Sequence, residues 1–255
     1  MISWAEILVG VAAVVGAGAW IPHILKWIAK PKLEVLSAPG LIIFYHVGGV
    51  AIQWPISIAV ERQDALIMKA ELLVTHQNGD SRKLFWGGIE EEFIQITIPE
   101  MAGNPLKYTK PSQVFAVKAV TQSLTERIIR FHDEDFYLTG LDKTESLREY
   151  FTYLKEQDAS AAESITTSRE FKQTLEFYNK DLFWKEGIYD LILRLKIRGL
   201  KSLHEQKFKF TLSKEDTITL QENRNQFEPY LQNLLTGSKQ VVNWRHVFVN
   251  VSPTR

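Results

Sequence analysis

The chain has 255 residues, 30 basic and 30 acidic side chains, no net charge and no cysteine. This balance excludes a global attraction to nucleic acid or acidic lipid, so a charged partner must meet a local patch. The lack of cysteine excludes disulfide staples and thiol catalysis, and favours a reducing compartment.

The first element is apolar. Residues 7–25, ILVGVAAVVGAGAWIPHIL, carry no formal charge in a chain that is 24% charged. As a helix they span about 28 Å, close to a bilayer core, and no polar face interrupts Ile7 to Ile21. The AGA at 17–19 resembles a signal-peptide cleavage site, but no basic region precedes the apolar run. The expectation is therefore an uncleaved transmembrane helix over 1–30. Lys26, Lys30 and Lys32 follow it, which predicts a single-pass inner-membrane protein with its C-terminal domain in the cytoplasm. Glu6, Gly10, Ala13 and Ala17 fall on one helix face, with Gly16 on a second small face. Small faces let helices approach closely in lipid, and a ring of Glu6 carboxylates suits a water-filled mouth. Glu6, Gly10, Ala13, Gly16 and Ala17 are thus the expected oligomerisation and pore residues.

From Lys32 the apolar period becomes two. KLEVLSAPGLIIFYHVGG predicts two strands around Pro39-Gly40, and WPISIAVE a strand opening at Pro55. LIMKAELLVTHQNGDSRKLFWGG reads as a hairpin turning at Asn78-Gly79. EFIQITIP and SQVFAVKAVTQ alternate as strands, and TERIIRFH follows more weakly. The Gly pairs in HVGGV and WGGI lack phosphate-loop spacing and predict turns or bulges.

The period then shifts to helical. DKTESLREYFTYLKEQ, capped by Asp142 or Thr144, and SREFKQTLEFYNKDLF predict a helical pair over about 142–182. In GIYDLILRLKIRG, Tyr189, Leu191, Leu193, Leu195 and Ile197 alternate, and Phe208, Phe210 and Leu212 do so on the return. EGIYDLILRL resembles the rhythm of an immunoglobulin-like strand. A last helix is expected over 223–235, with Asn223 as cap and Gly237 after it, then a closing strand in QVVNWRHVFVNV. The predicted fold class is mainly β: one transmembrane helix at 1–30, then an immunoglobulin-like β-sandwich over 31–255 carrying an inserted helical pair.

Chemistry is sparse. The six histidines show no metal-ligand spacing, HDEDF at 132–136 reads as a solvated acidic turn, and no nucleophile elbow occurs. The expectation is a non-enzyme with no cofactor and no metal. The feature above background is basic: Arg194, Lys196, Arg198, Lys207 and Lys209 point away from the apolar faces of one hairpin. Five adjacent cations predict an anionic ligand, a nucleic acid or nucleotide, unless Glu205, Asp190 and helix glutamates neutralise them.

The anchor with its small faces and the basic hairpin together resemble the plan of membrane effectors in bacterial anti-phage defence, the Hailong-type channel effector in particular. The resemblance covers architecture and no shared motif. It implies a homo-oligomeric channel in the lipid bilayer, controlled by a nucleic-acid product of a partner nucleotidyltransferase. The alternative is a single-pass adaptor whose β domain binds another protein.

Overall fold

The computed structural model describes residues 30–94, 107–112, 116–157, 165–180 and 182–254. Strands β1 (Lys32–Ser37) and β2 (Gly40–His46) run in succession along one edge of the long β3 (Gly49–Glu61). They behave as one strand kinked at Ala38-Pro39. Pro55 does not open a strand as expected but lies in the middle of β3. Ala38 N donates to Pro55 O at 3.1 Å, so the missing N–H of Pro55 falls at the kink, where it interrupts no ladder.

Strands β4 (Ala65–His76) and β5 (Ser81–Ile94) form the expected hairpin, with Gly79 at a φ of 95°. β6 (Lys107–Ser112) extends β5, and β7 (Val117–Ala119) pairs with the start of β4. β8 (Leu124–His132) sits between β3 and β5. β9 (Gly187–Ile197) and β10 (His204–Leu212) form the second long hairpin, on the far edge of β4. The last strands, β11 (His246–Asn250) and β12 (Ser252–Pro253), are separated by Val251 alone.

This bend decides the architecture. The sheet order is β11-β2-β3-β8-β5-β4-β9-β10-β12, antiparallel throughout. β11 pairs with β2 at one end of that order and β12 with β10 at the other, so a single bent segment joins the two edges. The sheet therefore nearly closes into a barrel. Inward positions fill it: Val35, Ile43, Trp54, Ile58, Leu72, Leu84, Phe131, Leu193 and Phe208 are each at most 2% exposed. The Trp54 and Phe208 rings meet edge to face at 4.7 Å inside.

Four α-helices are seen among the described residues: α1 (Glu134–Gln157), α2 (Arg169–Lys180), α3 (Lys214–Gln221) and α4 (Arg224–Thr236). They gather at the barrel end where β2 stops and β3, β9 and β11 begin. Aromatic contacts make the joint. Tyr45 Oη donates to Tyr178 O at 2.6 Å, Trp184 Nε1 donates to Phe44 O at 2.8 Å, and Tyr178 stacks on Phe227 at 5.0 Å.

The expected fold class is corrected on two counts. The β domain is one nearly closed sheet and not a two-sheet sandwich, because the β11–β12 bend ties its edges together. The transmembrane helix expected at 1–30 falls on residues outside the described ones, except for Lys30, and so do Glu6, Gly10, Ala13, Gly16 and Ala17. Among the described residues no helix is long and apolar enough to cross a membrane. The longest, α1, carries charged side chains from its first turn, Glu134 and Asp135, to its last, Lys155 and Glu156. The membrane-spanning, channel and inner-membrane expectations therefore find no support and are set aside.

The helical segment starts earlier than its periodicity suggested. Asp133, and neither Asp142 nor Thr144, caps α1: its Oδ1 accepts from Phe136 N at 3.1 Å. The Gly pairs are, as expected, a turn and a bulge. The pairing of β5 with β8 shifts register between Trp86 and Gly88, at Gly87. In HVGGV the chain turns at Val47-Gly48, and Gly49 has a φ of 75°. A Cβ at Gly49 would stand 2.6 Å from the Phe136 ring at the start of α1. Gly49→Ala meets both the left-handed backbone and that ring, and is expected to cost about 2 kcal/mol in urea unfolding. Gly79→Ala, where nothing lies within 4 Å of the new Cβ, should cost only the backbone share of that.

Candidate anion-binding face

The β9–β10 hairpin has its inward side fixed by apolar residues. Tyr189, Leu191, Leu193, Leu195 and Ile197 are buried, as are Phe208, Phe210 and Leu212. The intervening side chains therefore face outward. Register then sets each cation's neighbour. Arg194 lies opposite Glu205, and its Nε reaches Glu205 Oε1 at 2.8 Å. On its other side Arg194 faces Glu71 of β4. Lys209 lies opposite Asp190, with Nζ 3.4 Å from Oδ1. Two of the five expected ligand residues are thus neutralised across the strands, by the two carboxylates the sequence offered as counter-ions.

The other three differ. Lys196 lies opposite Lys69 of β4, a pairing of like charges. Lys207 lies opposite Ile192. Arg198 follows β9, where its backbone N donates to Leu66 O at 2.8 Å. All three side chains are exposed, and none has a carboxylate partner among the described residues.

Sequence reading missed two further cations. Lys69 on β4 and Lys83 on β5 both bind Glu71 Oε1, at 2.7 and 3.1 Å, and both stand over the Phe85 ring at under 5 Å. Partial burial pushes the Glu71 carboxyl up, but the two lysines together outweigh it and hold it below the usual carboxylate range. A register shift between Ile67 and Lys69 leaves Met68 and Lys69 both outward, so strict alternation could not place Lys69 on this face. Across the middle, register gives the row Lys83, Leu73, Ile192, Lys207: two half-buried aliphatic side chains between two lysines.

A second titratable group lies on the β2–β3–β8 wall. His46 is largely buried, and its Nδ1 accepts from Gly48 N at 2.8 Å. Burial first, then the charges of Arg130 and His132, lower its pKa to about 4. His132 packs edge-on against Tyr137 at 5.4 Å. Around it, the HDEDF stretch supplies the α1 cap and exposed first-turn acids. Among the described residues no group of three or more His, Asp or Glu side chains is placed to hold a metal ion.

No family model, curated protein or solved structure matches this chain. The barrel interior is filled by its own side chains, so a ligand of the barrel meets its outside. There the β5–β4–β9–β10 wall gathers Lys69, Lys83, Arg194, Lys196, Lys207 and Lys209, with Glu71, Asp190 and Glu205 among them. Backbone pairing fixes its rows, while the lysine side chains remain free to follow a ligand.

Proposed function

We propose that this chain is a binding module that takes a polyanion, most simply a single-stranded oligonucleotide, on the outer wall of β4, β9 and β10. The observation that carries this reading is the placement of Lys196, Arg198 and Lys207 on one exposed face with no carboxylate partner among the described residues. Lys69 adds to it, since it shares Glu71 with Lys83. A phosphate backbone offers charges at a spacing a row of lysines can follow, and each contact releases counterions whatever the base. The half-buried Leu73 and Ile192 between the lysines give bases an apolar surface to lie on.

The test is anisotropy of a fluorescent single-stranded DNA of mixed sequence, titrated with the full chain over a range of salt. The logarithm of affinity should fall linearly with that of salt, and each lysine contact removed should flatten the slope by about 0.7. Lys196→Gln with Lys207→Gln should lower the slope by about twice that, and Lys196→Glu with Lys207→Glu should abolish binding at low salt. Both side chains point to solvent, so the fold survives the change. Binding of the double-Glu variant at parental affinity would remove this wall from the ligand site.

A further inference from the structure

The two edges that nearly close the barrel leave a cleft of about 520 Å³ between them. β12 pairs with β10 only at Phe208 and Lys209, and beyond Lys209 no strand flanks β10 on that side among the described residues. β11 turns away to pair with β2. The result is a wedge between β10 and β11, with Lys209 and Ser252 at its apex and Asp216 of α3 at its other end. Hydrogen bonds at the apex fix which backbone groups face in. Val251 N donates to Pro39 O at 2.9 Å, so Val247, Val249 and Val251 turn their peptide groups to β2. Phe248 and Asn250 therefore turn theirs to the cleft. Thr254 N donates to Lys207 O at 2.9 Å, and by the same alternation Thr211 points its peptide groups into the cleft from β10.

The side chains divide in the same way. Phe248, 69% exposed, stands on the β11 side, and Ile188, 47% exposed, on the side of β9 and β10. His246 braces the Phe248 ring at 5.3 Å, near a right angle. Between these apolar groups lie the Asn250 amide and the Thr211 and Ser252 hydroxyls, exposed and without a hydrogen bond among the described residues. Charge is polarised along the wedge. Lys209 holds the apex, and its exposed pair with Asp190 is one that a phosphate can displace. At the other end the Asp216 carboxylate binds Ser213 N and Oγ at 2.9 Å, which turns a phosphate away from that end.

We infer that this cleft takes one base of a single-stranded nucleic acid, with the ring against Phe248, its edge on Asn250 and Thr211, and its phosphate at Lys209. A base has apolar faces and a rim of donors and acceptors, which is what apolar groups around unpaired peptide groups complement. An alkyl chain would leave those polar groups without partners. An added peptide strand needs a longer edge, because Lys209 to Thr211 covers only about 7 Å. Lys207 precedes Lys209 by two residues on the same strand, also about 7 Å away. A strand lying on the lysine wall thus reaches the cleft along β10. The inference rests on the reading of that wall as an oligonucleotide site and adds to it the place where a base is recognised: the wall positions, and the cleft specifies.

Two probes of equal length and charge test this on the full chain: single-stranded DNA of mixed sequence, and an abasic deoxyribose phosphate oligomer. Phe248→Ala should lower affinity for the DNA by about 10-fold, as loss of one stacked base does. It should leave the abasic oligomer and the salt slope unchanged, because no phosphate contact is lost. Phe248→Trp should retain parental affinity. The ring is exposed, so an unchanged denaturant midpoint shows that the alanine variant is folded. Free nucleoside monophosphates at millimolar concentration should shift the backbone amide resonances of Thr211, Phe248 and Asn250 and leave those of Lys69 and Lys83 in place. Parental DNA affinity in Phe248→Ala, or an equal loss for the abasic oligomer, overturns the inference, and so do mononucleotides that leave the three amides unmoved. If Lys196→Glu with Lys207→Glu binds DNA like the parent while Phe248→Ala does not, the wall reading fails and the cleft stands.

Discussion

Replacing Asn223 by alanine is expected to destabilise the chain by about 4 kcal/mol. Asn223 is 1% exposed, and its amide joins three pieces of the fold. Nδ2 donates to Tyr45 O at 2.9 Å, at the end of β2, and to Arg245 O at 2.8 Å, before β11. Oδ1 accepts from Arg245 N at 2.7 Å. Each bond contributes about 1 kcal/mol net, and a buried backbone group left without its partner costs about 1–3 kcal/mol more. The loss falls on the β2–β11 pairing, one of the two links that close the barrel. Asn223→Asp keeps the acceptor for Arg245 N but sets a carboxylate against two carbonyl oxygens, and should be no better than alanine. Denaturant unfolding of both variants reads the effect. An alanine variant within about 1 kcal/mol of the parent would show that water takes over these bonds.

That residue also shows what the sequence could express. The motif around Asn223 reads as a helix cap, and α4 does begin at the next residue and end at the left-handed Gly237. The side chain makes no cap bond, because three backbone partners from β2 and the β11 approach hold it instead. Local pattern gave the element, and tertiary contact gave the residue its task. The same division holds elsewhere. β2, β4, β9 and β10 were legible because a half-buried strand alternates. α3 was missed because it is only 8 residues long, although Ser213 and Asp216 form a capping box that spacing alone could have suggested. The first turns of α1 were missed because Gly140 lies within them, a poor helix former where a Cβ would stand 2.9 Å from Tyr178 Oη, the hydroxyl that donates to the Gly140 carbonyl. Barrel closure was not legible at all. It depends on a bend at Val251 and on a two-residue strand, and nothing in local composition distinguishes that from a sandwich edge.

For the candidate wall, alternation alone gave the outward set Arg194, Lys196, Arg198, Lys207 and Lys209. It could not rank them. Ranking required the β4–β9 register, which sets Arg194 between two glutamates and Lys196 beside Lys69. β4 and β9 are more than a hundred residues apart in the chain, so no window of sequence carries that information.

The last expectation concerns acid. His46 holds a pKa of about 4 in the native chain, lowered by burial and then by Arg130 and His132. Unfolded, the same imidazole titrates near 6.5. Between those values the unfolded chain binds a proton that the native chain does not, so stability falls as pH drops from about 6.5 towards 4. The full difference amounts to about 3 kcal/mol, and below pH 4 this group contributes no further change. Burial also lowers His132 and His204, which act in the same direction. His46→Asn separates the contributions. A short amide at this position can still accept from Gly48 N, as asparagine does at the start of many turns, but it takes no proton. Unfolding free energies of parent and variant should converge in acid and diverge in the parent's favour, if at all, only near neutrality. A parent curve that is flat from pH 6.5 to 4, or a variant curve as steep as the parent's, would show that His46 is protonated in the native chain and that the β2–β3–β8 wall opens to let the proton in.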